Sequence, residues 1–122
     1  MVAEGPCQTT FALQSSSETI RGPGYPGSYP NNTVHCWRII VPANNVVKFT
    51  INSLNMEVCH ECSCDSVELF DGNSESSRSL GKFCSGGSLK RTSSGRSLFV
   101  KFTSDESNVG DAFIASYHMV AE

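Results

Sequence analysis

Val46-Val47-Lys48-Phe49-Thr50-Ile51-Asn52-Ser53-Leu54 changes character at almost every step. Val47, Phe49 and Ile51 fall on one side, and Val46, Lys48, Thr50 and Asn52 on the other. A period of two belongs to a half-buried strand, because successive side chains of extended backbone point to opposite faces. The pattern returns in Ser97–Thr103, where Leu98, Val100 and Phe102 oppose Phe99 and Lys101. It returns again in Ala112–His118, where Phe113, Ala115 and Tyr117 oppose Ile114, Ser116 and His118. Cys36–Val41, Ser66–Phe70 and Leu80–Cys84 are shorter strand-like runs, and no window sustains a helical period. Turn chemistry separates the runs. Gly22-Pro23-Gly24-Tyr25-Pro26-Gly27-Ser28-Tyr29-Pro30 fits neither helix nor central strand, since proline removes ladder donors and glycine favours turns. Asp71-Gly72-Asn73 and Ser93-Ser94-Gly95 mark further turns. Many short strands with regular turns and no helix predict an all-β sandwich or barrel.

The chain has 122 residues, which suits one domain of the usual size, roughly 100–200 residues. Apolar residues make up 39% and charged residues 17%, a globular balance that argues against disorder. The net charge of −3 argues against nucleic-acid binding, which needs a basic surface. Lys82, Lys90, Arg91, Arg96 and Lys101 gather late in the chain, where a solvated face is the plainer reading than a polyanion site. No stretch approaches the roughly 20 apolar residues of a membrane helix. Met1-Val2-Ala3-Glu4 recurs as Met119-Val120-Ala121-Glu122, which fits either added ends or one unit of a tandem array. Six cysteines are an even set: Cys7, Cys36, Cys59, Cys62, Cys64 and Cys84. In a small acidic domain they predict a disulfide framework and an oxidising compartment, although composition does not choose the pairing. The rival is a zinc or iron–sulfur site built on Cys59, Cys62, Cys64, His60 and Cys84, which would strand Cys7 and Cys36 as thiols.

The pieces fall in a specific order. Cys7 comes first, then Gly22–Pro30, Cys36-Trp37-Arg38-Ile39 and the alternating strand. Cys62-Ser63-Cys64-Asp65-Ser66-Val67-Glu68-Leu69-Phe70-Asp71-Gly72 follows, then Leu80-Gly81-Lys82-Phe83-Cys84, Phe102-Thr103-Ser104-Asp105 and Ala112–Tyr117. This order resembles the CUB domain family along nearly the whole chain. The resemblance implies a jelly-roll-like sandwich of two mostly antiparallel sheets. It would fill 1–122 as a single domain, with a core at about 7–118 and short terminal tails. It also implies the disulfides Cys7–Cys36 and Cys62–Cys84. Cys59 and Cys64 are additional to the family pattern and are expected to pair. Strand alternation aims Cys62 and Cys64 the same way, so the partner of Cys84 stays open between them. Gln8 and Ser85 stand where the family carries glycine.

Glu57 precedes the cysteine cluster, Asp65 follows it, and Asp105 opens Asp105-Glu106-Ser107-Asn108 after a strong strand. Calcium takes six to eight oxygens at roughly 2.3–2.6 Å from carboxylates, carbonyls and water. Taken alone, three acids in an acidic chain are loop charges. The resemblance makes them a ligand set: Glu57, Asp65 and Asp105, with Asn108 and the Ser107 carbonyl, and with Tyr25 orienting the acids through its hydroxyl. It further implies recognition of a Lys or Arg side chain on an extracellular protein partner by the anionic calcium site.

The three histidines, His35, His60 and His118, sit in no nucleophile–base motif, and no Gly-x-Ser-x-Gly, His-Glu-x-x-His or phosphate loop is present. The reading is therefore a secreted, non-catalytic binding module. The alternatives are a calcium-independent carbohydrate-binding or adhesion module, or an accessory domain of a larger secreted protease. Asn31-Asn32-Thr33 is a glycosylation sequon that suits a secreted surface loop.

Overall fold

In the computed structural model, the described residues are 7–23, 31–52, 54–55, 65–86, 88–104 and 113–122. Eleven strands run through them. They are β1 (Thr9–Leu13), β2 (Ser17–Arg21), β3 (Val34–Ile40), β4 (Asn45–Ile51), β5 (Leu54–Asn55), β6 (Ser66–Asp71), β7 (Arg78–Phe83), β8 (Ser85–Gly86), β9 (Leu89–Thr92), β10 (Ser97–Thr103) and β11 (Ile114–Ala121). One sheet has the order β1-β3-β10-β6-β7, the other β2-β11-β4-β9, and β5 and β8 form a small pair. This is the expected β-sandwich. All ladders are antiparallel except that of β1 with β3. The exception follows from connectivity. The chain leaves the five-stranded sheet after β1, makes β2 in the other sheet, and returns for β3 in the direction of β1.

The alternating faces close on one another. Val47, Phe49 and Ile51 of β4 and Phe113, Ala115 and Tyr117 around β11 are buried against Leu98, Val100 and Phe102 of β10. Trp37, Ile39, Val67 and Leu69 join that core, with Ile20, Val41, Leu54 and Cys84. Burying each large side chain contributes roughly 1.5–3 kcal/mol. β11 runs on through Ala121, and the Glu122 amide donates to the Asn44 carbonyl at 3.1 Å. The second Met-Val-Ala-Glu copy is thus mostly paired strand.

Phe99 faces the other way and is buried as well, in a second cluster with Val34, Cys36 and Phe70 on the outer side of the five-stranded sheet. The Cys7–Cys36 disulfide, with Cα atoms 5.9 Å apart, roots the chain beside that cluster.

Candidate functional site

Six strand ends meet at one end of the sandwich. In the five-stranded sheet, Val34 pairs with Thr103 and Thr103 with Ser66, which aligns the start of β3, the end of β10 and the start of β6. In the other sheet, Arg21 pairs with Ile114 and Ala115 with Ile51, which aligns the end of β2, the start of β11 and the end of β4. The Phe102 and Phe113 rings, 6.0 Å apart, join the two sheets there. The segments leading away from these ends carry Tyr25, Glu57, Asp105, Ser107 and Asn108. Those five residues, together with Cys59, Cys62 and Cys64, lie outside the described residues.

Of the expected ligands, Asp65 is described. It immediately precedes β6 and its exposure is 0%. Ser66 and Ser104 beside it are also buried. Ser104 donates its amide to the Thr33 carbonyl at 2.9 Å, and its Oγ accepts the Thr33 amide at 3.1 Å. That reciprocal pair fixes the residue before Asp105. A carboxylate fully withdrawn from water is stable only with donors or a cation against it. Buried carboxylate and hydroxyl oxygens beside backbone carbonyls form the hard-oxygen environment that suits calcium. Among the described residues, no group of three or more acidic, histidine or cysteine side chains gathers.

Asn31 is exposed, and the Thr33 hydroxyl of its sequon donates to the Asn31 carbonyl at 2.8 Å. Cys84 is buried and disulfide-bonded, with a partner outside the described residues. A disulfide-bonded Cys84 cannot serve as a thiolate ligand, so the zinc or iron–sulfur alternative loses one of its candidate ligands. The late basic residues sit on both sheets. Lys101 pairs with Glu75 at 2.8 Å, Arg91 lies 4.9 Å over the Phe83 ring, and Arg96 donates to the Val41 carbonyl.

A second region escaped sequence reasoning. Phe11 on β1 is 44% exposed and stacks on buried Trp37, with ring centroids 6.2 Å apart. His35 meets both rings edge-on, and burial lowers its pKa below the usual histidine value. Leu13, Glu18, Thr19, Ile20 and Arg21 line the same groove, where β1 overlies β2. Phe11 alone gives no signal of it, because the groove exists only once two edge strands from different sheets are stacked.

A sequence model of the CUB domain matches residues 7–117. Human procollagen C-endopeptidase enhancer 1 is 39% identical over 110 residues, 86% of this chain and 24% of that protein. The chain spans only 3% to 24% of the first curated relatives it matches. The CUB1-EGF-CUB2 domains of rat MASP-1 superpose with a TM-score of 0.80 at 30% identity, covering 91% of this chain and 42% of that one. A MASP-1 CUB2 domain bound to Ca2+ shares the fold with a TM-score of 0.73 at 24% identity, covering 88% of this chain and 96% of that one. No helix among the described residues is long and apolar enough to cross a membrane. The ordered cysteines, the two-sheet topology and the match over residues 7–117 agree: this chain belongs to the CUB domain family.

Proposed function

We propose that the domain is a non-catalytic, extracellular recognition module that binds a basic side chain of a protein partner through a calcium-ordered end of the sandwich. The observation that carries the reading is the placement of Asp65. It is fully buried at the sheet end where Thr103-Ser104 leads directly into Asp105. The reading assigns the ligands to Glu57, Asp65, Asp105, the Ser107 carbonyl and Asn108, with Tyr25 as the orienting hydroxyl. Calcium, when bound, supplies the positive charge that lets three carboxylates converge. Those carboxylates exceed the charge of the ion by about one, so their outward lone pairs can accept a charge-assisted hydrogen bond from Lys or Arg. The chain supplies rigidity through the Ser104–Thr33 pair and the buried start of β6. Asn31 is the glycosylation site in this reading, exposed and close in sequence to Thr33.

Calorimetric titration with calcium tests the assignment. Wild type should bind one ion, and Asp105→Ala should lose binding while its far-ultraviolet spectrum is unchanged, because the hydrophobic core does not include the site. Wild-type affinity in Asp105→Ala would show that the ligand set is misplaced. Partner binding that persists in chelator would favour the calcium-independent alternative.

A further inference from the structure

The four lateral edges of the sandwich are not alike. β2 carries Glu18 and Arg21, β9 carries Lys90 and Arg91, and β7 carries Arg78 and Lys82 and is interrupted by a bulge. Charges and bulges on edge strands are the usual means of blocking edge-to-edge pairing. β1 has none of these. No charged residue occurs from Gly5 to Ser17, the β1 ladder to β3 is regular over all five residues, and no proline interrupts it. Among the described residues β1 pairs only with β3, so alternate amides and carbonyls of β1 turn outward. At its middle stands Phe11, one of two large apolar side chains exposed among the described residues.

We propose that β1 is a self-association edge, which pairs antiparallel with β1 of a second copy about a two-fold axis through Phe11. Five residues on each side would place Phe11 against Phe11, with Thr9 opposite Leu13 on either flank. Both phenyl rings would then lie on the groove side of the joined sheet, where they can pack together. Charge selects this occupant. β2 lines the same groove as Phe11 and Leu13, and Arg21 sits at the sheet end that holds the start of β3, with which Thr9 pairs, so Glu18 lies toward the Leu13 end. The two-fold exchanges these ends and brings Arg21 of each copy level with Glu18 of the other, as a self-complementary interface requires. The inference does not depend on the proposed calcium site, whose assigned ligands belong to other segments of the chain.

Sedimentation equilibrium of the whole chain up to about millimolar, the range of weak association, should show a monomer–dimer equilibrium. Phe11→Lys, which places a charge on the edge, should raise the dissociation constant about tenfold or more while the thermal unfolding midpoint is retained. Glu18→Arg or Arg21→Glu alone should weaken the dimer by roughly three- to tenfold, and the double swap should restore it. Alternate β1 amides should exchange with deuterium quickly in dilute solution and slowly at high concentration. A monomer at every concentration overturns the proposal. So does a dimer indifferent to Phe11→Lys, or a double swap no better than either single one. Concentration-independent protection of the outward amides would show that the edge is already covered by the chain itself, which also overturns it.

Discussion

Ser93 shows how much a turn residue can hold. The sequence marks Ser93-Ser94-Gly95 as a turn and no more. In the structure Ser93 is buried, its Oγ accepts the Val47 amide at 2.8 Å, and it donates to the Gly95 carbonyl at 2.7 Å. Its own amide donates to the Val47 carbonyl. One hydroxyl therefore carries the end of the β4–β9 ladder around the corner. Ser93→Ala leaves the Val47 amide without that acceptor, at a cost of about 1–3 kcal/mol, because a buried orphan donor loses its water as well as its bond. Urea unfolding should show the midpoint falling with an unchanged slope; a change under about 0.5 kcal/mol would mean that water replaces the hydroxyl. Asp71 plays a comparable part at the neighbouring turn. Burial raises its pKa, but hydrogen bonds from the Ser94 amide and hydroxyl, together with Arg78, outweigh that and leave it lowered. Neither role is legible in sequence, because a serine or aspartate in a turn looks the same whether its partner is water or a strand tens of residues away.

At the scale of the element, alternation located strands well. Ser97–Thr103 has the bounds expected of it, and the faces of β4 and β11 are oriented as their patterns require. Partnership was less legible. β1 is short, its parallel pairing is set by where the chain returns from β2, and nothing in Thr9–Leu13 encodes that return. Phe99 is a related case. Alternation placed it opposite the core, yet it is buried beneath Arg38, whose guanidinium lies 5.7 Å from its ring. The β6–β7 ladder has a register shift that no period reveals. Leu69 pairs with Gly81 and Phe70 with Ser79, which leaves Leu80 as the extra residue. Leu80 offers its carbonyl to Arg91, while Gly81 adopts φ +136°, a region that side chains rarely tolerate. A Cβ at Gly81 would come within 2.5 Å of the Phe83 ring. Gly81→Ala should therefore destabilise by about 1–3 kcal/mol through backbone strain and the displaced ring. Loss of the Arg91–Phe83 contact should be visible as shifted Phe83 resonances in the NMR spectrum. An unchanged midpoint would show that the bulge relaxes at no cost.

For the molecule as a whole, the sequence carried the family and the sandwich through spacing, because four cysteines, the Gly22–Pro30 segment and the alternating strands in a fixed order leave few alternatives. Of the acids that the sequence offers as a set, the described residues include only Asp65, which is buried where strands distant in sequence end at the same edge of the core. The Cys7–Cys36 bridge acts at this largest scale. It spans 29 positions and ties the start of an edge strand to β3, whose cysteine is completely buried beside Val34, Phe70 and Phe99. In the chain-entropy account, closing a loop of that length removes unfolded conformations worth roughly 3–4 kcal/mol. The native state should lose little packing when both sulfurs become hydroxyls, but Cys36→Ser places a polar group in an apolar cluster. The paired substitution Cys7→Ala/Cys36→Ala isolates the entropic part. That variant, unfolded in urea without calcium, should be less stable than wild type by about 3–4 kcal/mol plus a small cavity term. Its calcium affinity should be unchanged, because the bridge lies on the outer face of the sheet. A loss below about 1 kcal/mol would mean that the unfolded chain is already compact around this segment. A parallel fall in calcium affinity would mean instead that the anchored start of β3, through the Thr33–Ser104 bonds, helps to hold the ligand-bearing end in place.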